Sequence, residues 1–186
     1  MPMRMILVVA AIVTSTAASA HITFAEPEAQ PESYYAGFLR VSHGCEASPT
    51  VSIRVEIPAG IDVARPQPKP GWTLAIEHEP LARSIRSEMG SLVKERVSAI
   101  TWAGNLPADE FDEFGIMLKL PASAGPLYFP TVQRCASGSN AWVNRPATLD
   151  AWHATKMPAP MLVVISGAST TTAGSMAMDH MGEHQQ

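Results

Sequence analysis

Charge is scarce in this chain. Asp, Glu, Lys and Arg make up 16% of its 186 residues, against about 25% in an average domain. A basic excess is missing too, since 13 Lys and Arg face 17 Asp and Glu, a net charge of −4. That excludes the cationic footprint of a nucleic-acid binder and gives no reason to expect attraction to anionic lipid. Cysteine occurs only twice, at 45 and 135, and that spacing excludes a CxxC redox motif or a zinc-type cysteine cluster. Beyond residue 20 no segment offers the ~20 consecutive apolar residues of a membrane span. The chain also lacks a GxSxG elbow, an HExxH motif, a glycine-rich phosphate loop and an internal repeat. Proline, by contrast, is abundant at 16 residues, with 12 glycines. Together they argue for short strands joined by turns rather than a helical bundle. A hydrophobic content of 46% suffices for one core in one domain.

The first twenty residues read as an export signal. Arg4 is a positive n-region, Ile6 to Val13 a short apolar h-region, and Ala18-Ser19-Ala20 a small-x-small cleavage site. The expected organisation is a signal peptide over 1–20, a folded domain over 21–166 and a tail over 167–186. The mature protein is then expected in the periplasm or secreted, with no integral membrane segment. In an oxidising compartment Cys45 and Cys135 imply one disulfide. Closing a loop of about 90 residues is worth roughly 4–5 kcal/mol on the chain-entropy model.

The domain reads as all-β. Strands are expected at 34–41, at 50–57 with Val51, Ile53, Val55 and Ile57 on one face, and at 72–77, 96–102, 114–120, 127–133 and 161–166. His21 to Phe24 is a candidate first strand. Residues 87–97 could instead form a helical turn or two. The breaks at Pro58, Arg65 to Gly71, Ala103 and Pro121 are turn chemistry. Some seven strands so punctuated predict an antiparallel sandwich. From Gly167 the chain is small, polar and free of aromatics, which predicts a disordered tail.

Cleavage after Ala20 leaves His21 at the new N-terminus. Its α-amine and its imidazole Nδ1 can close one chelate ring on a metal, and such nitrogens suit copper(II). A histidine can equally follow a cleavage site by chance. His43 and Glu46 flank Cys45, and a carboxylate there could complete a copper(II) or zinc site, or simply face water. Of the tryptophans at 72, 102, 142 and 152, most are expected to anchor the core. Trp142 stands apart in the loop-like run SGSNAWVNRP, where its ring could meet a cation. Met176, Met178, His180, Met181 and His184 crowd the tail, and soft thioethers select copper(I). The acidic run Asp109, Glu110, Asp112 and Glu113 reads as a solvated loop.

Several longer segments then fall into one order: HITF, RVSHGCEASPTVSIRVEIPAGI, RPQPKPGW, AITWAGNLPADEFDEFGIMLKLP, GPLYFPTVQRCASGSNAW and PAPMLVV. Over about residues 21–165 the chain resembles the YcnI-like family of exported bacterial copper-binding proteins. The resemblance implies an immunoglobulin- or fibronectin-like β-sandwich. It also implies a copper(II) site built as a monohistidine brace, from the mature N-terminal amine and imidazole, a glutamate and a tryptophan. His21, Glu46 and Trp142 match these by position, with Glu26, Glu28 and Glu32 as alternatives for the carboxylate. Members often carry a C-terminal membrane helix, whereas this chain has its Met/His tail.

The expected function is therefore copper binding and trafficking or storage, without catalysis. The partners are the copper ion and other copper-handling proteins, with copper(II) at the brace and copper(I) at the tail. A rival reading is a copper monooxygenase, which needs a second brace histidine from His43, His78 or His153. Another is a metal-free, partner-binding sandwich.

Overall fold

The structure, a computed structural model, describes residues 21–87 and 89–166. Residues 1–20, expected to be an export signal, and the Met/His tail, with Met176, Met178, His180, Met181 and His184, lie outside the described residues. Among the described residues there are twelve strands and one short helix. One sheet orders β1 (Thr23–Phe24), β3 (Tyr34–Val41), β8 (Asp112–Lys119) and β5 (Ala64–Pro66). A second orders β11 (Ser139–Trp142), β10 (Thr131–Cys135), β4 (Thr50–Glu56), β7 (Leu92–Leu106) and β6 (Thr73–Arg86). A third joins β2 (Glu28–Ala29), β12 (Met161–Val164) and β9 (Gly125–Tyr128). Among the strand pairs of the described residues, β12–β2 alone is parallel.

One buried cluster unites the sheets. Phe24, Leu39, Phe114 and Leu118 come from the first, Ile53, Val55, Ile100 and Trp102 from the second, and Leu162 and Val164 from the third. Period-two patterning explains this. In β3 the side chains of Tyr35, Leu39 and Val41 turn inward while Tyr34, Phe38 and Arg40 face out. The expected antiparallel sandwich is what forms.

The differences from expectation have local causes. In β4, Ile53 and Val55 are buried as the alternation requires, but Val51 is only half-buried and Thr50 is fully buried. A register shift between Thr50 and Ser52 breaks the alternation there. The stretch over 127–133 is two strands. Pro130 has no N–H to continue a ladder, and the chain leaves the third sheet at Tyr128 to enter the second at Thr131. The described residues of 87–97 form no helical turn. They close and continue a long β6–β7 hairpin, with Ile85 opposite Val93 and Arg86 opposite Leu92, and the Ser87 N–H bonded to the Ser91 carbonyl at 2.8 Å. Cross-strand pairing satisfies those backbone groups as a short helix could not.

Three further elements sit where loops were expected. β5 lies at the start of the proline-rich run, and β11 carries Trp142, which is thus a strand residue rather than a loop one. Helix α1 (Leu149–Ala154) begins at the cap Thr148, whose hydroxyl oxygen accepts from the Ala151 N–H at 3.2 Å. No helix among the described residues is long and apolar enough to cross a membrane.

Candidate metal centre

Glu46 and Trp142 line one cavity along the β11 edge of the five-stranded sheet, and His21 contacts Trp142. Cys45 and Cys135 form the expected disulfide, with Cα atoms 6.0 Å apart. It ties the 42–49 loop to the end of β10. Within that loop the Cys45 N–H bonds to the Ser48 carbonyl at 3.0 Å, and the Ser48 N–H to the Cys45 carbonyl at 2.9 Å. Glu46 and Ala47 are the two turning residues, and Glu46 takes the left-handed conformation, φ 56°. Gly44 is required just before it, because a Cβ there would stand 2.1 Å from the Ser48 carbonyl oxygen.

Gln133 on β10 organises what surrounds this loop. Its side chain is buried, and all four of its hydrogen-bonding positions are used. Nε2 donates to the His43 carbonyl at 2.7 Å and to the Thr50 hydroxyl at 2.8 Å. Oε1 accepts from Asn140 Nδ2 and from Trp142 Nε1, both at 3.3 Å. One amide thus fixes the His43 loop, the inward-turned Thr50 and the Trp142 indole together.

His21 packs against two tryptophans. Its ring centroid lies 6.0 Å from that of Trp142, at an interplanar angle of 61°, and 5.1 Å from that of Trp152, at 37°. Trp152 is the buried residue of α1, and its Nε1 donates to the Ala159 carbonyl at 2.7 Å. Trp142 also lines a cavity of about 570 Å³ with His43, Glu46, Asn140, Lys156 and Met157. Trp142 is therefore the residue common to His21 and to the Glu46 cavity.

The other candidates lie elsewhere. Glu26, Glu28 and Glu32 are exposed along the β1–β3 connection. His78 is exposed on β6, and His153 is exposed on α1, edge-on to Trp152 at 5.2 Å. The acidic run is partly spent on ion pairs, Asp112 with Lys69 at 2.6 Å and Glu113 with Arg40 at 2.8 Å. Among the described residues no three or more His, Cys, Asp or Glu side chains converge as a metal-binding group.

A family model described as Domain of unknown function (DUF1775) matches residues 21–164. The chain belongs to this family. YcnI-like proteins are members of DUF1775, as the sequence resemblance implied. A crystal structure of an uncharacterized protein from Nocardia farcinica, described as having an immunoglobulin-like fold, superposes with a TM-score of 0.60 at 24% identity. The match covers 80% of this chain and 100% of that one. The immunoglobulin-like sandwich expected of the DUF1775 chain is thus its fold. A comparison with curated proteins finds no match.

Two residues around His21 have no role of their own in the sequence reading. Trp152 is not singled out among the four tryptophans, although it contacts His21 directly. Gln133 carried no signal, since a glutamine inside a strand reads as surface until its partners are known.

Proposed function

We propose that this DUF1775 domain is exported and carries copper(II) as cargo at His21 once residues 1–20 are removed. The α-amine and Nδ1 of His21 form the chelate, Glu46 supplies an oxygen, and Trp142 and Trp152 limit access to the ion. Copper(II) tops the divalent affinity order and takes tetragonal nitrogen and oxygen ligation. A single observation carries this reading: the His21 imidazole packs on Trp142, which also lines the cavity holding Glu46. The disulfide adds support, because it anchors the Glu46 turn to the strand that hydrogen-bonds β11 and so Trp142. It also fits an oxidising compartment. The role is binding and transfer of copper among copper-handling partners, without catalysis.

The test is electron paramagnetic resonance of the exported chain, shown by mass to begin at His21, during titration with copper(II). The expected result is one tetragonal signal with nitrogen couplings that disappears in His21→Ala or when an alanine precedes His21. A signal that survives both changes overturns the reading. Copper and protons compete for the amine and the imidazole, so affinity should fall as the solution is acidified below neutrality.

A further inference from the structure

Among the described residues, two of the three non-glycine residues with left-handed backbone, Glu46 (φ 56°) and Met157 (φ 51°), line the same cavity. Such conformations persist only where the surroundings enforce them, and they cluster at functional sites. The surroundings of Met157 are specific. Asn144 clamps its turn, with the Asn144 N–H bonded to the Met157 carbonyl at 3.3 Å, Nδ2 to the Lys156 carbonyl at 2.7 Å, and the Asn144 carbonyl accepting from the Ala159 N–H at 2.8 Å. The structure thus holds a half-buried methionine, packed against the core, at the cavity wall.

His43 lines that cavity as well. Its Nδ1 is hydrogen-bonded to the Gly44 carbonyl oxygen. A carbonyl only accepts, so Nδ1 is the donor in this contact, and Nε2 is the ring nitrogen left to offer a lone pair to a metal. This is the arrangement by which a backbone carbonyl orients a metal-ligating histidine. The His43 backbone is held in turn by Gln133. Lys156 is the one cation of the wall, and it is exposed on a long stem that can keep its ammonium in water.

We infer that His43 Nε2 and the Met157 thioether form a second site in this cavity, for a soft monovalent cation, copper(I) or its analogue silver(I). An imidazole paired with a thioether favours such an ion over copper(II). The site uses neither His21 nor the donors of the Met/His tail. Trp142, shared by the cavity and His21, places it beside the copper(II) position. As a copper site it rests on the proposed function, but its ligands and its test stand apart from His21.

The experiment uses the full exported chain with Met176→Ser, Met178→Ser, His180→Ser, Met181→Ser and His184→Ser, which removes the tail donors. Methionine methyl groups are labelled with carbon-13, and silver(I) is added. The expected result is a saturable shift of the Met157 methyl resonance. Copper(I) affinity is then measured by competition with bathocuproine disulfonate, and His43→Ala and Met157→Leu should each weaken it at least tenfold. A Met157 methyl signal unmoved by silver(I) overturns the proposal, and so does unchanged copper(I) affinity in both variants. The methyl shift requires no variant of the cavity, so a misfolded Met157→Leu does not decide the matter. Loss of the copper(II) signal in the same chain with a retained Met157 shift would overturn the His21 reading alone. The reverse pattern would overturn this one alone.

Discussion

Trp152 lies against His21, ring centroid to ring centroid 5.1 Å, although the two residues come from opposite ends of the described chain. The contact depends on helix α1, which carries Trp152 to His21, and the Trp152 indole is fastened to the Ala159 carbonyl. Trp152→Ala should cost about 3–5 kcal/mol as a large buried ring is lost. Trp152→Phe keeps most of the ring and should cost about 1–2 kcal/mol for the missing hydrogen bond. Urea denaturation of the three proteins checks the order.

Gln133 should be the most sensitive polar residue of the domain. Gln133→Leu strands the Trp142 and Asn140 donors and removes the donor to the His43 carbonyl. Each buried group left unpaired costs about 1–3 kcal/mol, and the losses are not additive in a network. A total loss of a few kcal/mol is expected in denaturation. Trp142 fluorescence should change with it, measured in a Trp72→Phe, Trp102→Phe, Trp152→Phe background.

Removing the disulfide should destabilise the domain by about 2–5 kcal/mol. Its effect should not stay global. The Glu46 turn is held to β10 through Cys45, so Cys45→Ser with Cys135→Ser should raise amide hydrogen exchange at Ser48 and Ala136 more than at Ile53. Equal increases at all three amides would argue against a local anchoring role.

Alkaline stability should depend on Tyr35. Burial, with the Glu26 carboxylate adding to it, pushes its phenol from 10.0 up to about 12, and its hydroxyl donates to the Glu26 carbonyl. In the unfolded chain the phenol loses its proton near pH 10, while the folded protein keeps it until about pH 12. The stability it contributes is therefore complete below pH 10 and lost as the pH rises from there to about 12. Tyr35→Phe should flatten that part of the profile. Burial also raises the Tyr128 phenol, so some decline should remain. Denaturation midpoints on either side of pH 10 check this.

Much of the fold was legible in the residues because it is written in local alternation. YYAGFLRV became β3 with the limits that its pattern implied, and TVSIRVE became β4 apart from the shift at Thr50. The hairpin ends over 78–95 were less legible. Their side chains are mostly exposed on both faces, so no apolar alternation marks them, and cross-strand pairing alone makes them strands. β11 was hidden for a similar reason, since SNAW is too short to show a period and exists as a strand by pairing with β10.

The sequence by itself determined the class of fold, the pairing of its two cysteines and the family, because these depend on composition, on periodicity and on long ordered segments. It also singled out His21, Glu46 and Trp142 as individual residues. Only the tertiary structure decided that Trp142 is the neighbour of both His21 and the cavity bearing Glu46, that Trp152 closes on the same imidazole, and that Gln133 ties the loops together. The physical reason is that contacts among residues so distant in sequence depend on sheet order and strand register. Those are set by the packing of the whole core, and no local window of sequence contains them.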